Sequence, residues 1–153
     1  MTYEKKINIL DRGIIRMNTY LSYGAAYNDH LDSTGNEAKQ EAYDVLTKIE
    51  ATQASLYAVQ NISFNACCRD ICGGNYNTRE IREANKCNAF KQSITSLISI
   101  LKQERERLIK EQADKEQKIN KWMTKWSLIF SAIAAIGTII TLLFTIFDYL
   151  CDN

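Results

Sequence analysis

The chain contains no proline, a single histidine and only six glycines in 153 residues, and each scarcity excludes something. Without proline no helix is forced to end by a missing N–H or a ring clash, so glycines and turn-forming polar residues carry all the punctuation. His30 stands in the polar turn NDHLDSTGNE with no serine-glycine elbow nearby, so a nucleophile-base pair has nothing to be built from. There is no Walker loop, no GxGxxG and no HExxH. Net charge is also nearly absent: nineteen basic against eighteen acidic residues leave +1, too little for a polyanion partner. The expectation is a non-enzymatic, all-α protein with no cofactor and no nucleic-acid partner.

What is present is a block of uniform hydropathy near the C-terminal end. Trp126 to Phe147 reads WSLIFSAIAAIGTIITLLFTIF, twenty-two residues without a charge. At ~1.5 Å per residue this spans ~33 Å, the thickness of a bilayer's hydrocarbon core. A soluble domain of this size has too little interior to cover a helix that is apolar on every face. Trp122 and Trp126 at one end and Tyr149 at the other are rings suited to the headgroup level. Lys115, Lys118, Lys121 and Lys125 crowd the N-terminal flank, whereas the far flank carries Asp148 and Asp152. The positive-inside rule then predicts a cytoplasmic N-terminal part. The opening MTYEKKINILDRG lacks the apolar core and cleavage site of a signal peptide. A single-pass, tail-anchored protein in contact with a lipid bilayer is expected.

Inside the apolar block Ser127, Ser131, Ala134, Thr138, Thr141 and Thr145 recur at steps of four, three, four, three and four. That averages 3.6, so they share one helical face, the kind of small, weakly polar stripe along which membrane helices pack. Self-association of the anchor is predicted; the plainer reading is that the hydroxyls bond back to their own helix.

Upstream, Ile7, Leu10, Ile14, Met17 and Leu21 form a three-four seam on a helix of about 4–28, continued by Tyr20, Tyr23 and Tyr27. Burial against a second helix explains those tyrosines better than a partner-binding patch does. The second helix is expected to be capped by Ser33, Thr34 or Asn36, to carry Ala42, Val45, Ile49, Thr52, Leu56 and Val59, and to run unbroken to about residue 71. Gly73-Gly74-Asn75 is the strongest stop, followed by Asn77 to Glu80 as a capping arrangement. The third helix carries Ile81, Ala84, Cys87, Phe90, Ile94, Leu97 and Leu101, then becomes polar from Lys102, with Glu104, Glu111 and Lys115 interrupting its seam. Glu106 with Lys110, Glu111 with Lys115 and Asp114 with Lys118 are four apart in the favourable order, enough to keep a solvated stalk helical. The predicted architecture is an antiparallel bundle of about three helices over 1–101, a charged stalk over 102–125 and a transmembrane helix over 126–150.

Four of the five cysteines cluster as Cys67, Cys68, Cys72 and Cys87. A hairpin closing near Asn75 would set Cys67 or Cys68 opposite Cys87, a candidate thiol pair. Cys68 and Cys72 have the spacing of half a zinc site with Cys87 as a third ligand, but a fourth is missing, and inert buried thiols are the simpler reading.

The function these features imply is a membrane-tethered scaffold or interaction module: a helical part at the inner face, self-associating as a homo-oligomer and engaging an unknown protein partner. The alternative is a small membrane-permeabilising effector whose anchors oligomerise. In layout that alternative is similar to small lysis or growth-arrest membrane proteins of phages and bacteria, a likeness of architecture without a shared motif. A fusion factor is disfavoured, because the broken seam does not zip up to the membrane.

Overall fold

The computed structural model describes residues 1–23, 31–64 and 79–151. The described residues form four helices and no strand: α1 Tyr3–Tyr23, α2 Leu31–Lys48, α3 Gln53–Asn61 and α4 Arg79–Cys151. Contacts divide the chain into two units, Met1–Lys110 and Glu111–Asn153.

The first unit is organised by the seams read from the sequence. Leu10 and Met17 of α1, Ala38, Ala42 and Leu46 of α2, Val59 of α3 and Phe90, Ile94, Leu97 and Leu101 of α4 are closed to solvent, with Ile7, Ile14, Tyr20, Leu21 and Leu56 packed around them. α1 comes close to α2 at Gly13, where an added Cβ would lie 3.1 and 3.2 Å from the Val45 methyls. The ring of Phe64 lies 5.7 Å from that of Phe90 and covers Gly35, whose absent Cβ would stand within 3 Å of the ring. Surface pairs join the elements: Lys6 with Glu50 at 2.9 Å, Arg16 with Glu41, and Arg105 with Asp11 at 2.6 Å.

Three expectations change. The second helix does not start at a Ser33, Thr34 or Asn36 cap; it already runs from Leu31, whose side chain is buried, and Gly35 sits inside it to make room for Phe64. Nor does it run unbroken toward residue 71. Glu50 adopts φ 57°, the left-handed conformation that closes a helix. The Ala51 N–H reaches the Leu46 carbonyl at 2.9 Å and the Glu50 N–H reaches that of Thr47 at 3.0 Å, the paired bonds of a Schellman stop. Ile49 remains fully buried at the turn, and Thr52 restarts the chain as the cap of α3, its hydroxyl accepting from the Ser55 N–H at 3.3 Å. Finally, the polar stretch after Leu101 is not solvated in its first turns: Glu104 and Leu108 are each 2% exposed.

The described residues of the second unit, 111–151, are one continuous stretch of helix, the remainder of α4. Its side chains from residue 113 to Phe147 are all exposed. Trp122, Trp126 and Phe130 follow one another a turn apart, Trp122 edge-on to Trp126 with ring centroids 5.7 Å apart and Trp126 tilted against Phe130 at 5.8 Å.

Candidate functional site

Two places concentrate chemistry. The first is the short helix α3, held at both ends by charges of the sign its dipole favours. At its start Glu104 Oε1 accepts from the Thr52 N–H (3.2 Å), the Thr52 hydroxyl (2.6 Å) and the Ser55 hydroxyl (2.5 Å), while Oε2 accepts from Arg107 Nε at 2.7 Å. At its end Lys39 Nζ donates to the carbonyls of Gln60 (2.6 Å) and Ile62 (2.7 Å). A carboxylate at a helix N-terminus and an ammonium at its C-terminus complete backbone groups that a nine-residue helix leaves open. Burial pushes the Glu104 carboxyl up, but the donors from Ser55, Thr52 and Arg107 together outweigh it, so the group lies below its ordinary value and stays ionised.

Sequence reasoning read Glu104 as a break in the seam. Its register was nevertheless legible: Leu97, Leu101, Glu104 and Leu108 are four, three and four apart, so Glu104 belongs to the buried face. What was missing was a partner, which the unexpected restart at Thr52 supplies.

The second place is the apolar part of α4. Among the described residues it is the one helix long and apolar enough to cross a membrane, and none of its most apolar window is covered by protein. Leu128, Phe130, Leu142, Leu143 and Phe144 are each more than 60% exposed. The small-residue stripe Ser127, Ser131, Ala134, Thr138, Thr141 and Thr145 is likewise uncovered. Its threonine hydroxyls bond within the helix: Thr138 donates toward the Ala134 and Ala135 carbonyls, Thr141 to Gly137 and Thr145 to Thr141, each at 2.9 Å. This is the self-satisfied arrangement that lets threonine sit in apolar surroundings without a partner. Lys118, Lys121, Trp122, Lys125 and Trp126 of the N-terminal flank are exposed; the backbone at residue 149 is helical, and the Tyr149 side chain lies outside the described ones.

Of the thiol candidates only Cys87 lies among the described residues. Cys67, Cys68 and Cys72 lie outside the described residues, as do Gly73-Gly74-Asn75, the Asn77 cap, Tyr27 and His30. Cys87 is half-buried on α4 against the core. Among the described residues no three His, Cys, Asp or Glu side chains gather to hold a metal.

A groove of about 340 Å³ between α1 and α2 is lined by Arg12, Arg16 and Lys48 but also by Glu41 and Asp44. Arg16 is already tied to Glu41, which holds its guanidinium above the usual value. The groove has no charge of one sign to offer a ligand. No protein-family model, curated protein or solved structure matches the chain.

Proposed function

We propose that the chain is a membrane protein whose 126–147 segment crosses the bilayer once, with the N-terminal helices packed as a bundle in the cytoplasm and serving as a self-associating scaffold that engages another protein. The observation that carries this reading is the stretch of α4 from Trp126 to Phe147, uncharged and exposed on every side. In water so much contiguous apolar surface would drive aggregation, and in hydrocarbon it is the favoured state. The helix satisfies its own backbone and threonine hydroxyls, as a lipid-facing segment must. Orientation rests on the four lysines before the segment against Asp148 after it.

Self-association has two supports. Small residues allow close approach of one anchor to another, and three short seams make a modest core that gains from a second copy.

The test is sodium carbonate extraction of membranes from expressing cells, followed by protease treatment of intact cells and of inverted vesicles. The chain is expected in the carbonate-resistant pellet, with its N-terminal part digested only in inverted vesicles. Release by carbonate overturns the span, and digestion in intact cells overturns the orientation. Prompt depolarisation on induction, abolished by Thr138→Leu with Thr141→Leu, would replace the scaffold by the permeabilising effector.

A further inference from the structure

The flank of the span is two-sided. At 3.6 residues per turn Lys118, Lys121 and Lys125 fall within roughly 60° of one another around α4, and Trp122 and Trp126 fill the adjoining arc. All five side chains are exposed. The rings of Trp122, Trp126 and Phe130 form a row of edge-on and tilted contacts beside the lysines, and with Met123 and Ser127 they line an open apolar hollow of about 670 Å³. The opposite arc carries the uncharged Gln117, Asn120 and Thr124, in line with Ser127 and Ser131. Between residues 115 and 147 the one acidic side chain is Glu116. It falls on that opposite side and accepts from Gln112 at 2.9 Å.

We propose that this lysine-tryptophan face binds the headgroups of anionic phospholipids in the leaflet at the N-terminal end of the span. The proposal rests on the reading that 126–147 crosses the bilayer. Its own argument is charge complementarity placed at one depth and on one side. Lys125 and Lys121 lie ~2 and ~8 Å above the first residue of the apolar stretch, within a headgroup layer, and Lys118 lies one turn higher, within a Debye length of the surface. Each ammonium offers three donors to phosphate oxygens; the Trp122 indole lies between Lys121 and Lys125 in depth, and that of Trp126, below all three lysines, fills the glycerol level of the same lipid with an N–H to spare. A zwitterionic lipid would meet the same rings but gain no net attraction from the lysines.

The chain's two tryptophans both lie in this face, so its intrinsic tryptophan fluorescence reports on this place alone. The full chain is reconstituted in vesicles of phosphatidylcholine with one-third phosphatidylglycerol, bromine being carried on the acyl chains of one lipid or the other. Per brominated lipid, quenching is expected to be about fivefold more effective from phosphatidylglycerol, the factor corresponding to ~1 kcal/mol for one lysine at an anionic surface. The preference should fade in high salt and vanish in Lys118→Gln/Lys121→Gln/Lys125→Gln. It should persist in Lys5→Gln/Lys48→Gln/Lys102→Gln, which removes the same charge from exposed positions elsewhere. Equal quenching by both lipids from a chain that resists carbonate overturns the lipid site and leaves the span standing. Loss of quenching together with release by carbonate overturns both. Glycerol phosphate in solution abolishing the preference as efficiently as salt-matched lipid headgroups would make the face a site for free phosphate and overturn the lipid assignment.

Discussion

The two units handle polar groups in opposite ways, although helix α4 contributes to both. Between Phe90 and Leu108 its buried face admits one carboxylate, Glu104, whose hydrogen bonds come mainly from Thr52 and Ser55, about fifty residues away in the chain. Between Trp126 and Phe147 every polar side chain is a serine or threonine, and the hydroxyls of Thr138, Thr141 and Thr145 are satisfied three or four residues back on the same helix. A polar group that depends on distant residues fixes a tertiary arrangement, because the chain must fold before the group is satisfied. One satisfied by its own helix fixes nothing beyond the helix. The buried charge in the first unit therefore specifies structure, and the uncharged 126–147 stretch of the second is specified by its solvent.

Removing the Glu104 carboxylate should produce the largest change. In Glu104→Ala the Thr52 N–H, two hydroxyls and the Arg107 guanidinium lose their acceptor, and breaking a buried charged network by deleting one member costs about 3 kcal/mol or more. Urea unfolding of the full chain in micelles, followed by the circular dichroism of the helices, should show the unfolding free energy falling by that amount and the midpoint falling with it. The carbonate-resistant fraction should stay unchanged. Glu104→Gln keeps an acceptor oxygen and should lose less. A loss in Glu104→Ala no larger than that of an exposed control such as Glu106→Ala would mean that α3 is not held from α4.

The reciprocal test places a charge where the chain has none. Ile136→Arg sets a guanidinium near the middle of the apolar stretch, at a cost of about 2.5–3.5 kcal/mol for insertion. The carbonate-resistant pool should shrink by on the order of a hundredfold in the insertion equilibrium, while the urea midpoint of the N-terminal unit holds. Together the two variants break the comparison in each direction.

How much of this was readable in advance follows from which signals are local. The apolar stretch was legible because length and uniformity suffice, and the seams of α1 and α4 were legible because three-four spacing maps directly onto buried residues such as Leu10, Met17, Ile94 and Leu97. The break at Ile49 to Thr52 was hidden because its left-handed residue is Glu50 rather than glycine or asparagine. A Thr52-x-x-Ser55 cap inside an uninterrupted seam was the one trace of it. Gly35 misled in the opposite sense, since it reads as a turn signal but serves the Phe64 ring. The role of Glu104 was out of reach, because a buried acid can be understood only after its donors have been placed.

That last point sharpens into pairs of glycine variants. Gly35→Ala puts a methyl into the face of Phe64, a ring that is itself packed on Phe90, and should cost about 1–3 kcal/mol by overpacking. Gly13→Ala meets the Val45 methyls at 3.1 and 3.2 Å, where a few tenths of an ångström suffice, and a Leu101 methyl at an ordinary 3.6 Å, and gains up to ~1 kcal/mol of helix propensity. Its unfolding free energy in urea should stay within about 1 kcal/mol of the parent. Acid should act like a mild version of the Glu104 substitution. A carboxyl held below its ordinary value of 4.5 contributes stability that is complete above that value and is lost as pH falls through the lower folded value. The urea midpoint of the parent should therefore drop below about pH 4.5, and Glu104→Gln should show a shallower drop.

The smallest expected effect lies in the span, and it follows from the same contrast. Because the hydroxyls of Thr138 and Thr141 already have acceptors in their own helix, a bond across to a second copy must replace or share an existing one rather than rescue an unsatisfied group. Interhelical polar contacts in membranes average only ~0.6 kcal/mol under such competition. Thr138→Ala and Thr141→Ala remove a hydroxyl without adding bulk; each should leave helix content and carbonate resistance as they were and weaken self-association in micelles by no more than about threefold, read by energy transfer between labelled copies. Thr138→Leu fills the space that a close approach of two backbones requires and should weaken it further. A leucine variant that associates as well as the alanine variant would mean that the small size of the stripe carries none of the association.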